Sequence, residues 1–187
     1  PSANYNLQKQ GYPGGFVSKP KGGRHHNVAV LDYRAMYAEI QRNENISRET
    51  KRNGPGPAIK ELPNGTFWYQ GKTGVLPQLQ MDLADARNKA KAQMKKHKPG
   101  SNEYAGFNAL QLAYKRAAAS CYGLMGTEGH GEADRDVAST ITFMGRSLTS
   151  RLMEICGEMG YDPLAGHTDS AYIGIGDANG EAIAKEL

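Results

Sequence analysis

The sequence predicts an α+β fold, and three observations predict it. A β-branched apolar run at residues 27–33 reads as a short buried strand, and alternation across residues 164–175 reads as a hairpin. Between them, apolar residues recur at spacings of three and four from Val75 to Met159, the period of helices. The chain has 187 residues with 39% hydrophobic content, enough for one compact domain with a core of ordinary size.

In chain order, residues 1–26 are rich in glycine and proline and lack periodicity, so they read as a loop or extended arm. The strand at 27–33 ends on Asp32, and a helix is expected over about 34–42. Residues 43–73 are interrupted by Asn53-Gly54-Pro55-Gly56-Pro57 and Pro63-Asn64-Gly65; they read as a loop that orders against a partner, with a short strand at Phe67-Trp68-Tyr69 and Trp68 packing within it. Leu76, Leu79, Leu83, Ala86, Ala90 and Met94 then form one helical stripe, and Phe107, Leu110, Tyr114, Ala117 and Cys121 a second. The break at Lys98-Pro99-Gly100-Ser101 makes the pair a helical hairpin. Gln111, Lys115, Ala119 and Tyr122 share a face away from that second stripe. A glycine-rich break at 123–131 precedes a long amphipathic helix from Val137 to Met159, with Asp134 and Asp136 near its N-terminus, where the helix dipole favours them. The hairpin at 164–175 carries Asp169 at its tip, and the last residues read as an unfinished helix, as in a piece of a longer protein.

No stretch approaches the roughly 18 apolar residues that a membrane span needs, and no secretory signal is recognisable. Cys121 and Cys156 lack metal-ligand spacing and read as buried thiols in a reducing, intracellular setting. The net charge is +4, but residues 84–116 hold eight bases against two acids, a local +6. Such a concentration suits a polyanion, nucleic acid or nucleotide, although a solvated helix surface is the ordinary alternative. No phosphate-binding Gly-x-x-x-x-Gly-Lys-Ser/Thr or Gly-x-Gly-x-x-Gly stretch occurs.

Asp32 and Asp169 both stand at strand ends. If their strands are neighbours, the two carboxylates converge as hard oxygen ligands for a divalent ion, with the bases available to a triphosphate. Taken singly, each is as well explained as a turn or cap residue.

Four segments resemble the family B DNA polymerases. Val30-Leu31-Asp32-Tyr33-Arg34-Ala35-Met36-Tyr37 is similar to motif A, an aspartate followed by an aromatic residue and, five positions on, a tyrosine. Leu76-Pro77 followed by Arg87-Asn88-Lys89-Ala90-Lys91 resembles the first fingers helix. Lys115 followed by Ser120-Cys121-Tyr122-Gly123 resembles motif B, and Gly166-His167-Thr168-Asp169-Ser170 resembles motif C. The order matches the family's, and four motifs in order are far more specific than any one.

The resemblance implies a polymerase palm, an antiparallel sheet packed on helices, with an inserted two-helix fingers hairpin. Residues 1–74 would be the first palm segment, 75–118 the fingers and 119–187 the second palm segment. It implies template-directed addition of dNTP to a primer 3′-hydroxyl, with primer-template DNA as partner. Two Mg²⁺ ions, or Mn²⁺ in their place, would be held by Asp32, Asp169 and the backbone carbonyl of Tyr33. Arg87, Lys91 and Lys115 would neutralise the β and γ phosphates, Lys115 as part of the catalytic set. Tyr37 would lie beneath the sugar and exclude a ribose 2′-hydroxyl; Tyr122 and Gly123 would flank the nascent base pair; His167 and Thr168 would lie beside the primer end. Departures from the family pattern are His167 for the first motif C aspartate, Ala119 for the motif B asparagine, and Ala35, Ala38 and Glu39 around the motif A tyrosine. They bear on nucleotide affinity and fidelity more than on reaction class. Exonuclease and thumb regions are not recognisable, so further domains or subunits are expected to supply them, and this segment alone is expected to hold a duplex weakly. A degenerate palm that binds nucleic acid without turning over is the competing reading. His25, His26 and Asp177 read as loop and turn residues.

Overall fold

The computed structural model describes residues 12–127, 129, 131 and 133–186, and these form two compact units. One comprises 12–36 with 141–186, the other 37–140. The remainder of the arm expected at residues 1–26, from 1 to 11, lies outside the described residues.

The first unit is built on a four-stranded antiparallel sheet. Its strands are β1 (Phe16–Val17), β2 (Val28–Asp32), β6 (Asp162–Thr168) and β7 (Ser170–Gly174), in the order β1-β6-β7-β2. Alternation puts Leu31, Ala171 and Ile173 on one face, where they pack with Leu152 and Cys156 of α4 (Arg135–Glu158) and Ile183 of α5 (Gly180–Glu186). Burial of each large aliphatic side chain here contributes about 1.5–3 kcal/mol. Gly166 has to be glycine: a Cβ there would sit 2.6 Å from the Phe16 ring and 2.7 Å from Met153 Sδ.

The arm is therefore partly a strand rather than a loop. Ser18 N–H donates to Gly166 O and Lys21 N–H to Leu164 O. The Pro13 carbonyl accepts from Thr142 Oγ1 at 3.0 Å and from Arg146 at 2.6 Å. These partners lie more than 120 residues away in sequence, so no local pattern could reveal them.

The second unit corrects the reading of 43–73 as a loop. After α1 (Met36–Asn43) and a 3₁₀ turn at Arg48–Thr50, β3 (Lys51–Arg52), β4 (Ile59–Glu61) and β5 (Phe67–Tyr69) form their own sheet in the order β3-β5-β4. Trp68 on the central strand is fully buried, and its indole N–H donates to Thr66 Oγ1 at 2.7 Å. β5 and the packed Trp68 fall where a short strand is expected, whereas β3 and β4, two and three residues long, are too short for alternation to register.

Helices α2 (Val75–Met94) and α3 (Asn102–Gly126) form the expected hairpin, and Ala90 and Cys121 of the expected stripes are buried, but the seam follows those stripes only in part. Leu110 is 41% exposed and Ala117 is exposed, whereas Gln80 and Gln111 are buried. Gln80 Nε2 donates to Gln41 Oε1 (2.9 Å) and Ala118 O (3.0 Å), and Arg87 Nε donates to Gln111 Oε1 (3.3 Å). Close approach of two helices leaves amides in the seam that must find each other, since unpaired they would cost about 1–3 kcal/mol apiece. The break expected at 123–131 begins later, because α3 continues through Gly123 to Gly126. Asp134 Oδ1 accepts from the amides of Asp136 and Val137, so beyond the expected dipole interaction it caps α4.

Helix α2 begins at Gly74, which has no side chain to cap it, and the cap comes from a segment almost 30 residues earlier. Asn45 Oδ1 accepts from Gly74 N–H at 2.8 Å, Glu49 from Val75 N–H, and Ser47 Oγ from Leu76 N–H at 3.3 Å. Asn45 Nδ2 also donates to the carbonyls of Tyr69 and Lys72. Asn45→Ala strands a buried donor and two carbonyls, so it should lower unfolding free energy by about 2–4 kcal/mol in a urea titration. A loss below a few tenths would deny the anchor. The Glu49 carboxyl is held below its ordinary range: burial alone would raise it, but hydrogen bonds from the Val75 amide, its own amide and the Ser47 hydroxyl outweigh burial. The native state thus binds fewer protons than the unfolded chain as pH falls through the carboxylate range. The stability this contributes is present above the unfolded value and is lost as pH drops through the folded one. Glu49→Gln should flatten the acid limb of a thermal-midpoint-against-pH curve, and an unchanged limb would contradict it.

Candidate active site

The hairpin register brings the two aspartates side by side. Strands β2 and β7 pair Asp32 with Ser170, the residue after Asp169, and Tyr33 N–H donates to Asp169 O at 2.9 Å. Ser170 Oγ donates to Asp32 Oδ2 at 2.6 Å, which orients that carboxylate. Asp32 is exposed and Asp169 half-buried, and neither forms an ion pair among the described residues. Two carboxylates carried on neighbouring strand ends, neither ion-paired among the described residues, are a donor set that suits a hard divalent ion. No group of three or more His, Cys, Asp or Glu is placed to hold a metal among the described residues, so backbone, water or substrate oxygens would have to complete any such shell.

Backbone geometry holds this corner. Thr168, directly before Asp169, has φ +52°, a left-handed conformation that a β-branched residue adopts only when its surroundings impose it. Its carbonyl accepts from the buried Thr149 Oγ1 at 2.7 Å, and its hydroxyl lies 3.4 Å from His167 Nδ1. Ala35, three residues after Asp32, also has positive φ, +56°, where the chain turns from β2 into α1. Tyr33 sends its hydroxyl to Leu148 O at 3.3 Å, and burial raises its phenol pKa. Sequence reasoning missed Ser170 and Thr149, since a serine after a motif and a threonine in a helix carry no signal without the pairing.

The remaining site residues belong to the other unit. Tyr37 on α1 and Tyr122 on α3 are in ring contact, with centroids 4.7 Å apart and planes inclined at 54°. The pairing of Gln80 with Ala118 and of Arg87 with Gln111 makes α2 and α3 antiparallel, with a fixed register. Lys115, one turn beyond Gln111 on α3, therefore falls one turn from Arg87 in one direction along the seam, and Lys91 one turn in the other. The three cations spread over about 12 Å of helix. Arg87 and Lys91 are half-buried and Lys115 is exposed; Gly123 lies exposed in the last turns of α3. Cys121 and Cys156 are free and buried, and burial raises both thiol pKa values. No helix among the described residues is long and apolar enough to cross a membrane.

DNA polymerase 2 of Aeropyrum pernix is 30% identical over 167 residues, covering 87% of this chain and 21% of that protein. The DNA polymerase of Archaeoglobus fulgidus is 31% identical over 165 residues, covering 88% of this chain and 21% of that protein. The chain thus spans about a fifth of the length of these relatives. The solved structure of the family B DNA polymerase from Pyrobaculum calidifontis superposes with a TM-score of 0.76 at 28% identity, covering 90% of this chain and 23% of that one. The family model for DNA polymerase family B matches residues 1–175, which takes in both aspartates, the helical hairpin and the arm, and so the chain belongs to DNA polymerase family B.

Proposed function

We propose that this chain is part of the catalytic core of a template-directed DNA polymerase, which adds dNTP to a primer 3′-hydroxyl on primer-template DNA. The observation that carries the reading is the Tyr33 N–H to Asp169 O bond, which supports convergence of Asp32 and Asp169 at the end of one sheet. Asp32 and Asp169, with the Tyr33 carbonyl, would hold two divalent ions, Mg²⁺ or Mn²⁺. Such ions would supply Lewis-acid stabilisation of the 3′-hydroxyl and of the phosphate oxygens in an in-line displacement that releases pyrophosphate. Ser170 keeps the Asp32 carboxylate oriented, so that little reorganisation is needed as charge develops.

Arg87, Lys91 and Lys115 bind the β and γ phosphates, and the bond that Arg87 Nε donates to Gln111 Oε1 holds one of them in place beforehand. Tyr37 packs under the deoxyribose, where its ring leaves no room for a 2′-hydroxyl, and Tyr122 presents a flat apolar surface to the nascent base pair. Gly123 leaves space beside that pair, and His167 and Thr168 meet the primer end. Residues 75–118 act as the fingers, and 1–74 with 119–187 as palm; further domains or subunits supply thumb and exonuclease functions.

Primer extension by the full-length protein containing this segment tests the reading. Template-directed incorporation with Mg²⁺ or Mn²⁺ is expected, and its absence with both ions would refute it. Lys115→Ala should raise the KM for dNTP, lower kcat, or both, with kcat/KM falling about ten- to a hundredfold, because it deletes one charge-assisted phosphate contact. Unchanged kinetics would return Lys115 to the solvated surface.

A further inference from the structure

We infer that the tip of the α2–α3 hairpin is a second nucleic-acid contact, gripping the phosphate backbone through Lys95, Lys96 and Lys98. All three side chains are exposed, and none forms an ion pair among the described residues. The turn that carries them is ordered. Lys95, Lys96 and His97 N–H groups donate to Lys91, Gln93 and Met94 carbonyls at 2.9–3.2 Å, and Ser101 N–H donates to Lys98 O at 3.1 Å. The His97 ring stacks on Phe107, with centroids 5.5 Å apart and planes 20° from parallel.

The α2 dipole favours a cation at its C-terminus and accounts for Lys95, but Lys98 lies beyond the helix. The acid nearest in sequence, Glu103, is held below the ordinary carboxylate range by its own amide, by Ser101 and by His97, and it forms no ion pair with the three lysines among the described residues. Three uncompensated like charges on a stiff turn repel one another, and a polyanion relieves that repulsion by displacing condensed counterions. Lys95 lies one turn, about 6 Å, beyond Lys91, and Lys96 and Lys98 follow past the end of α2, so the tip extends the cationic row beyond the triphosphate set. The choice of nucleic acid over an acidic protein rests on the polymerase reading.

The test is the salt dependence of oligonucleotide binding by this chain, read by fluorescence anisotropy with single-stranded and duplex DNA of equal length. Replacing Lys95, Lys96 and Lys98 together by alanine should make the log–log slope for single strand shallower by about 2, at roughly 0.7 per phosphate contact. A charge-matched control with Lys19, Lys72 and Lys185 replaced by alanine should leave the slope near wild type, and arginine at the three tip positions should restore it. A change confined to the single strand assigns the contact to unpaired template, and one confined to duplex assigns it to paired DNA. Equal slopes in the tip and control variants overturn the inference, as does competition by polyglutamate as effective as that by DNA. If the triple variant loses its helical circular dichroism, single variants should each lower the slope by about 0.7, and no change in any of them overturns it. Absence of primer extension alongside a shallower tip slope would retire the catalytic reading and leave the tip contact standing.

Discussion

Asp32→Asn and Asp169→Asn are each expected to cut primer extension by more than about a hundredfold, since even the partners that merely orient metal ligands cost ten- to a hundredfold when removed. Both replacements are isosteric and remove only the charge that would hold a divalent ion. The asparagine oxygen at position 32 can still accept from Ser170 Oγ, and the Tyr33 N–H to Asp169 O bond uses backbone atoms alone. The sheet register therefore survives, and thermal midpoints should stay within a degree or two of the parent, as for surface substitutions worth less than about 0.5 kcal/mol. That combination, activity lost with the melt unchanged, distinguishes a ligand from a turn-former. Extension at the parental rate by both variants would remove the metal assignment.

Tyr37→Ala should relax discrimination against ribonucleotides by about ten- to a hundredfold, the range that one small group in a close-packed pocket commands. Competing dNTP and rNTP in single-nucleotide incorporation reads it directly. Tyr37→Phe keeps the ring and should keep the discrimination, so the pair of variants separates steric exclusion from loss of the hydroxyl. The alanine variant also breaks the ring contact with Tyr122, at about 0.5–1.5 kcal/mol beyond lost burial, and a stability measurement accounts for that part. Unaltered selectivity in Tyr37→Ala would leave the tyrosine as a packing residue.

Much of the fold was legible before any coordinates. The strand ending at Asp32, the hairpin tipped by Asp169, the start of α2 at Val75 and the acidic N-terminus of α4 all follow from local pattern, because period and charge placement are properties of neighbouring residues. The elements that escaped are held by distant partners. β1 exists because β6 supplies bonds to it, while α4 bonds the arm just before it at Pro13, and the expected strand at Phe67–Tyr69 became the centre of a sheet because the very short β3 and β4 meet it. On the hairpin, Leu110 and Gln111 exchanged their expected roles. A seam between two helices selects the residues that fit and can pair, and hydrophobicity along one helix cannot report what the other presents.

For the candidate site the division is similar. Sequence alone determined which residues are available: two isolated aspartates, a cationic row on helices, and tyrosines at motif spacing, since residue type and order are all that such motifs need. Only the tertiary structure decided that Asp32 lies opposite Ser170, that Thr149 holds Thr168 in a left-handed turn, and that Tyr37 touches Tyr122. Strand register and ring contact depend on how segments over 80 residues apart close on one another, and that free energy belongs to the packed chain rather than to any stretch of it.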